Sequence, residues 1–365
     1  MKNTFGQSVL TTVFGESHGQ AIGVVIDGLA PGITVDNEFI EKQLSRRRPQ
    51  KKTDTPRQEK DKYQIVSGVF EGKTTGTPIC IIIPNEDTKS KDYSEMKSLA
   101  RPSHADYTAY CKYHGFEDYR GGGHFSGRIT AGLVAGGAIA IKALENLGIK
   151  VGTHILKCKD VFDRDFESYE SDIDSLYNKS FPVLSDCEDK MTAVITNASE
   201  NKDSAGGVLQ TAIIGMPAGV GEPWFDSIES VLSHALFSIG GIKGVEFGKG
   251  FELSSMLGSE ANDSFAIENG KIVTKTNNNG GINGGITNGM PIIINCAVKP
   301  TPSIAKAQET VDFKAMENAT LEIKGRHDPA IIRRVAVVID SVVALALCDI
   351  LAQRYGTDVF TKGIK

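Results

Sequence analysis

The chain has 365 residues, 40% hydrophobic and 23% charged, with a formal net charge of −5 at pH 7. That balance excludes disorder, allows a sizeable core and argues against wholesale nucleic-acid binding. Gly is over-used at 39 residues with no three-residue period, which excludes collagen and predicts tight turns or close backbone approaches.

The first seventeen residues contain no apolar stretch of signal-peptide length, so a cytoplasmic location is expected. Strands are predicted over 8–13 and 21–26, around the turn Gly15-Glu16-Ser17-His18-Gly19. The letters spell G-x-S-x-G, but a serine-hydrolase elbow needs a helix where a second strand-like run follows, so that reading is set aside. A turn histidine suits proton transfer, or only a structural hydrogen bond. Asp36 and Asn37 cap a helix carrying Phe39, Ile40 and Leu44, which ends before Pro49. Arg46, Arg47 and Arg48 read as solvated cations at its carboxyl end. Residues 46–62 hold eight basic residues against three acidic ones, either a solvated loop or the mouth of an anion site.

Strands follow at 64–70 and 78–83. The run Arg101-Pro102-Ser103-His104-Ala105-Asp106-Tyr107 reads as a helix start with a histidine in its first turn, either an anion site or a plain capped helix. Arg120-Gly121-Gly122-Gly123-His124-Phe125-Ser126-Gly127-Arg128 leads into an apolar helix over 127–147. It is no Walker A loop, and its glycines serve a phosphate-bearing ligand or close packing. Strands are predicted at 150–156, 191–196, 208–214 and 290–297. Asp226 opens a helix with Ile228, Val231, Leu232, Ala235 and Leu236 on one face.

Segments 160–189 and 258–276 read as surface excursions. A second glycine cluster at 279–286 precedes Lys299-Pro300-Thr301-Pro302-Ser303, which suits a flat ligand or a double turn. Gly325-Arg326-His327-Asp328-Pro329 enters a second all-round apolar helix over 331–353. The apolar runs 129–141 and 335–352, the latter broken by Asp340 and Asp349, are read as too short or too interrupted to span a bilayer. The six cysteines are isolated, so no metal site is expected.

Two enclosed helices among strands at hairpin spacing predict one layered α+β domain over 1–365, with sheets outside helices. Both helices begin at an Arg-bearing loop, and loop histidines and an aspartate are at hand for protons. A small, multiply anionic substrate and a phosphate-containing cofactor in one water-poor pocket follow.

The blocks 15–31, 46–49, 67–79, 92–108, 118–128 and 325–329, in that order, resemble the chorismate synthase family. The resemblance implies the last step of the shikimate pathway. There 5-enolpyruvylshikimate 3-phosphate loses phosphate and the C6 pro-R hydrogen in an anti-1,4 elimination, with reduced FMN required but no net redox change. It also implies a homotetramer of three-layer β-α-β sandwiches, with antiparallel sheets flanking the buried helices. His18 resembles the histidine that protonates reduced flavin, His104 the one that protonates departing phosphate, and Asp328 the aspartate that takes the substrate's proton. Ser17, Arg47, Arg101, Arg128 and Arg326 match positions that hold substrate or flavin. His124, Phe125, Ser126, Gly240, Gly241, Gly284, Lys299, Pro300, Thr301, Pro302, Ser303 and Arg326 match FMN contacts, and Arg47 an NADP contact where NADPH is used.

Departures from the family pattern cluster at the flavin. His124 and Phe125 replace Arg and Ser, Gly240 and Gly241 replace Asn and Ala, and Pro302 replaces Ser. Lys52 or Thr53 stands where a second arginine is common. The absence of a Rossmann fingerprint favours flavin reduction by an external reductase over direct use of NADPH. A flavin-dependent oxidoreductase using the same pocket is the alternative. Nucleic-acid binding by 46–62 is disfavoured because only Tyr63 adjoins it as an aromatic.

Overall fold

Along Ala21–Asp27 the side chains of Ile22, Val24 and Ile26 are buried, and their register partners Ile83, Ile81 and Ile79 are buried with them. This period of two gives the sheet one dry face. The computed structural model describes residues 2–50, 54, 60–86, 97–323 and 328–364. In spatial order the first sheet runs Thr4–Phe5, Leu10–Gly15, Ala21–Asp27, Ile79–Pro84 and Gln64–Ser67. The second runs Ile242–Phe247, Ile292–Val298, Gly207–Ile214, Lys150–Cys158 and Val161–Phe162. Every pairing in both sheets is antiparallel.

Between the sheets lie the helices Thr130–Glu145 and Ile332–Tyr355, packed on each other. The first covers the dry face of strands 21–27 and 79–84, and the second covers strands 150–158 and 207–214. Two glycines make this close packing possible. A Cβ on Gly137 would stand 2.3 Å from the Cβ of Ser341, and one on Gly132 would stand 2.9 Å from the backbone of Gly23. Helices Asn37–Arg47 and Ile228–Phe237 complete the middle layer. The result is the α+β, three-layer β-α-β sandwich expected, with one large apolar cluster shared by all three layers.

Several local expectations need correction. Residues 191–196 lie inside the helix Glu188–Glu200, where Met191 and Ile195, four apart, are the buried pair. Their i, i+4 spacing outweighed the β-branched composition. The helix expected at Asp226 begins at Ile228, with the Ser227 side chain accepting from the Ser230 N–H, while Asp226 belongs to the preceding turn. Residues 64–70 form two short strands parted at Gly68, whose φ is +83°. The excursion at 160–189 is anchored as well as exposed, since Phe166, Ile173 and Leu176 pack with Ala212 in a second small cluster. The other excursion forms the hairpin Phe265–Glu268 with Lys271–Thr274.

The buried helices also exceed the expected apolar length. Gly127–Glu145 and Ile332–Tyr355 are each long and apolar enough to cross a bilayer, yet 78% and 100% of their apolar windows are buried in protein. The interruptions in the second one are ties. Asp340 meets Arg46 at 3.0 Å, so Arg46 is buried and not solvated. Asp349 Oδ1 accepts the backbone N–H groups of Gln7, Ser8 and Val9 at 2.9, 2.7 and 2.9 Å. Lys52 and Thr53 fall outside the described residues.

Candidate active site

The amino ends of the two enclosed helices converge on one cleft of about 860 Å³. The convergence has a local cause. Helix Asn37–Arg47 ends with carbonyls that no later turn can satisfy. Arg333 Nη2 donates to the Arg48 carbonyl at 2.9 Å and Arg334 Nε to the Arg47 carbonyl at 2.8 Å, both from the first turn of the 332–355 helix. Arg47 in turn donates through Nε to Thr130 Oγ1 at 2.9 Å and through Nη2 to the Gly127 carbonyl at 2.7 Å. One arginine thereby joins the starts of both helices.

The predicted glycine run is where the histidines meet. Gly121, Gly122 and Gly123 all have positive φ, at 59°, 88° and 52°. A Cβ on Gly121 would stand 2.1 Å from His18 Cε1, and one on Gly122 would stand 3.3 Å from His104 Cε1. Close approach of imidazole rings therefore accounts for Gly121 and Gly122, while a Cβ on Gly123 would stand 2.1 Å from the Asp118 carbonyl oxygen. Gly121→Ala is expected to lower stability by about 1–3 kcal/mol through overpacking and a strained φ, read from the urea midpoint.

His18 and Ser17 are buried and do not line the cleft directly. Ser17 Oγ lies 3.1 Å from His18 Nδ1 and donates to the Arg120 carbonyl at 3.3 Å. The turn that carries them joins two strands, Leu10–Gly15 and Ala21–Asp27, as expected. His104 does line the cleft, but it precedes the helix Asp106–Tyr113 instead of occupying its first turn. Arg101, Arg128 and Asp328 also line it. Asp328 pairs with Arg334.

Arg128 is nearly covered. It pairs with Asp61 and donates through Nε to Asn85 Oδ1 at 3.0 Å. Arg47 also reaches Asp61, at 3.4 Å. Among the described residues of 46–62, Asp61 is thus a buried carboxylate sitting among the Arg47 and Arg128 guanidinium groups. Asp61, Asn85, Arg333 and Arg334 were not singled out by sequence. An arginine pair opening an otherwise apolar helix was a usable signal, whereas Asn85 carried none. The Asn85 amide donates to the carbonyls of Glu16 and Gly19 at 2.9 Å each and so fastens the His18 turn to Arg128.

Of the expected cofactor contacts, His124, Phe125, Ser126, Gly240, Gly241, Lys299, Pro300, Thr301, Pro302 and Ser303 all line the cleft. His124 Nδ1 donates to the Gly15 carbonyl at 2.8 Å, and Ser126 Oγ accepts the Arg128 N–H at 3.2 Å. Lys299 Nζ donates to the Ser103 carbonyl at 2.6 Å. Burial, and after it the nearby Lys243, pulls the Lys299 ammonium below its ordinary value. Gly284 is not part of the cleft. It occupies the turn between Ile282–Asn283 and Ile286–Thr287, with open space beside it. Arg326 falls outside the described residues. An apolar wall of Ile129, Leu133, Val335, Val338, Val342 and Leu345 completes the cleft.

A sequence model of the family described as Chorismate synthase matches residues 9–352. The chain is 49% identical over 351 residues to a chorismate synthase of Lachnoclostridium phytofermentans, covering 96% of this chain and 95% of the relative. It is 46% identical over 353 residues to one of Methanococcoides burtonii, covering 95% of each. A solved structure described as Crystal Structure of Chorismate Synthase superposes with a TM-score of 0.75 at 28% identity, covering 96% of this chain and 94% of that one.

Proposed function

The chain belongs to the chorismate synthase family, and from that premise we propose that it converts 5-enolpyruvylshikimate 3-phosphate to chorismate and phosphate. The reaction proposed is an anti-1,4 elimination that requires reduced FMN with no net redox change. The observation that carries the reading is the meeting of Arg47, Arg101, His104, Arg128 and Asp328 on a single cleft.

The residues present fit a flavin mononucleotide. The cleft lies within the roughly 300–1,000 Å³ span usual for ligand and cofactor sites, and its apolar wall offers a planar ring system a dry surface. A Cβ at Gly240 would point into open space, so a ligand can lie against the backbone there. His124, Phe125, Ser126, Gly240, Gly241 and the run from Lys299 to Ser303 would hold it. When bound, reduced FMN would be a source of electron density for the substrate skeleton during C–O and C–H cleavage.

The chain's own groups do the rest. Arg101 and Arg128 bind the anionic substituents, and charge-assisted hydrogen bonds of this kind stabilise a leaving phosphate better in a dry site than in water. His104 delivers a proton from Nε2 to the departing oxygen. Asp328 takes the C6 proton, with Arg334 beside it to accommodate the change in charge. His18, its ring held by Ser17 behind Gly121 at the cleft edge, is the residue that would supply the proton assigned to the reduced cofactor. Water exclusion comes from the enclosed helices on one side and Pro300 and Pro302 on the other.

Exposed Trp224, Phe225, Phe251, Phe265, Ile267 and Ile272 support the homotetramer as the working assembly, because apolar surface on that scale favours burial against further copies. An external flavin reductase, or NADPH with Arg47 as a contact, is the proposed source of reducing equivalents, in the cytoplasm. The test is anaerobic incubation with 5-enolpyruvylshikimate 3-phosphate and dithionite-reduced FMN, following chorismate absorbance and phosphate release. Stoichiometric release of both is expected, and turnover in Asp328→Ala should fall at least about 10²-fold. Failure to release phosphate under these conditions would overturn the reading.

A further inference from the structure

The ring of His104 is placed by one contact. It stands on a loop where Ser103 has φ +59°, and the hydrogen bond its side chain makes among the described residues runs from Nδ1 to Asp106 Oδ1 at 2.8 Å. The same carboxylate receives Arg101 three times. Nη2 donates to Oδ1 at 2.6 Å, Nε to Oδ2 at 2.7 Å, and the backbone N–H to Oδ2 at 3.0 Å. Burial pushes the Asp106 carboxyl up, but the hydrogen bonds from Arg101 and His104 outweigh it and hold the group well below the usual carboxylate range. An ionised carboxylate only accepts, so Nδ1 carries the hydrogen. The Cε1–Nε2 edge is turned toward the glycine run, 3.3 and 3.4 Å from where a Cβ on Gly122 would stand, with Arg101 Nη2 3.9 Å from the same point.

We propose that Asp106 is a positioning residue for the reaction, setting the Nδ1–H form of His104 and the Arg101 fork with one carboxylate so that both face the same leaving group. The inference rests on the function proposed above. Its physical content is that two donors share one acceptor. A carboxylate has two oxygens and about four lone-pair directions, enough for the fork and the imidazole together. A primary amide has a single acceptor oxygen. With asparagine at 106 the guanidinium takes that oxygen, the NH2 group faces His104 Nδ1, and the ring is driven to carry its hydrogen on Nε2. The neutral Nε2–H ring is too weak an acid to protonate the leaving oxygen, and the imidazolium that delivers the proton loses the carboxylate that accepts from Nδ1 and offsets its charge.

The experiment uses the full chain labelled with 15N-histidine, with the His104 resonances assigned by comparison with His104→Gln. In the neutral ring of the wild-type resting protein, Nδ1 is expected to read as protonated and Nε2 as bare. In Asp106→Asn the two should exchange, and turnover should fall about 10²-fold with KM changed less than tenfold. Asp106→Glu retains a carboxylate and is expected to keep the Nδ1–H form and recover at least tenfold of the lost turnover. It also serves if the asparagine variant does not fold. An unchanged Nδ1–H form in Asp106→Asn, or turnover within threefold of wild type, overturns the proposal. The tautomer measurement needs no substrate. A wild-type protein that forms no chorismate therefore sinks the functional reading, whereas a tautomer that ignores residue 106 sinks this one.

Discussion

Replacing His104 with alanine is expected to lower turnover by about 10²–10⁴-fold, the span typical of losing a positioned general acid. At about 1.36 kcal/mol per tenfold this is roughly 2.7–5.4 kcal/mol of lost transition-state stabilisation. The fold should survive, because the ring sits on a loop at the cleft and not in the core, and Asp106 keeps its fork from Arg101. KM should move by less than tenfold, since Arg101 and Arg128 still grip the anionic groups. Steady-state kinetics with reduced FMN, run beside a thermal melt, check both halves. Wild-type turnover in His104→Ala would remove the histidine from the mechanism.

The second large effect is structural. Asp349→Ala should destabilise the protein by about 3–5 kcal/mol, measured by urea denaturation, because three backbone N–H groups lose one buried acceptor and each such loss costs about 1–3 kcal/mol before water and relaxation recover part of it. Asp349 is 1% exposed, and its other oxygen accepts from Gln353 Nε2 at 2.9 Å. Asp349→Asn, which keeps one acceptor oxygen, should cost no more than about half as much. Equal losses in the two variants would show that the carboxylate's charge, and not its accepting geometry, does the holding. The damage should reach the active site, since residues 7–9 lead directly into the strand Leu10–Gly15 and the His18 turn.

Local features were legible wherever a local cause dominated. Asp36 caps its helix by accepting the Phe39 N–H at 2.9 Å, as its position before an apolar-periodic run implied. The two all-round apolar helices read correctly as enclosed, and their environment explains why bilayer length was beside the point. Long-range pairings did not show. Asp340 and Asp349 looked like interruptions because their partners, Arg46 and residues 7–9, stand some three hundred positions away. Within the basic segment at 46–62, the burial of Asp61 among Arg47 and Arg128 was not legible, because Arg128 lies 67 positions away. Met191 and Ile195 misled because β-branched neighbours imitate a strand when only two positions in the run have to be dry.

The site was legible as a set of loops, while its geometry was not. The three-glycine run was rightly flagged as a close approach. What approaches it is a pair of histidines at Gly121 and Gly122 and the Asp118 carbonyl at Gly123, which no spacing rule discloses. Gly284 stands apart from the other matched positions, in a turn away from the cleft that they line.

The clasp between Asp349 and Val9 has a consequence for synthesis. The two residues are 340 positions apart. At about 5–20 residues per second, roughly 17–68 s separate their translation. Through that interval the nascent amino-terminal hairpin lacks the acceptor that fastens it, and its apolar face lacks the last helix of the middle layer. Such non-local closure is slow and leaves sticky intermediates. Truncation near the carboxyl terminus should therefore be felt first at the opposite end of the polypeptide, on the ribosome, where a chaperone would have to shelter the first sheet until the final helix emerges.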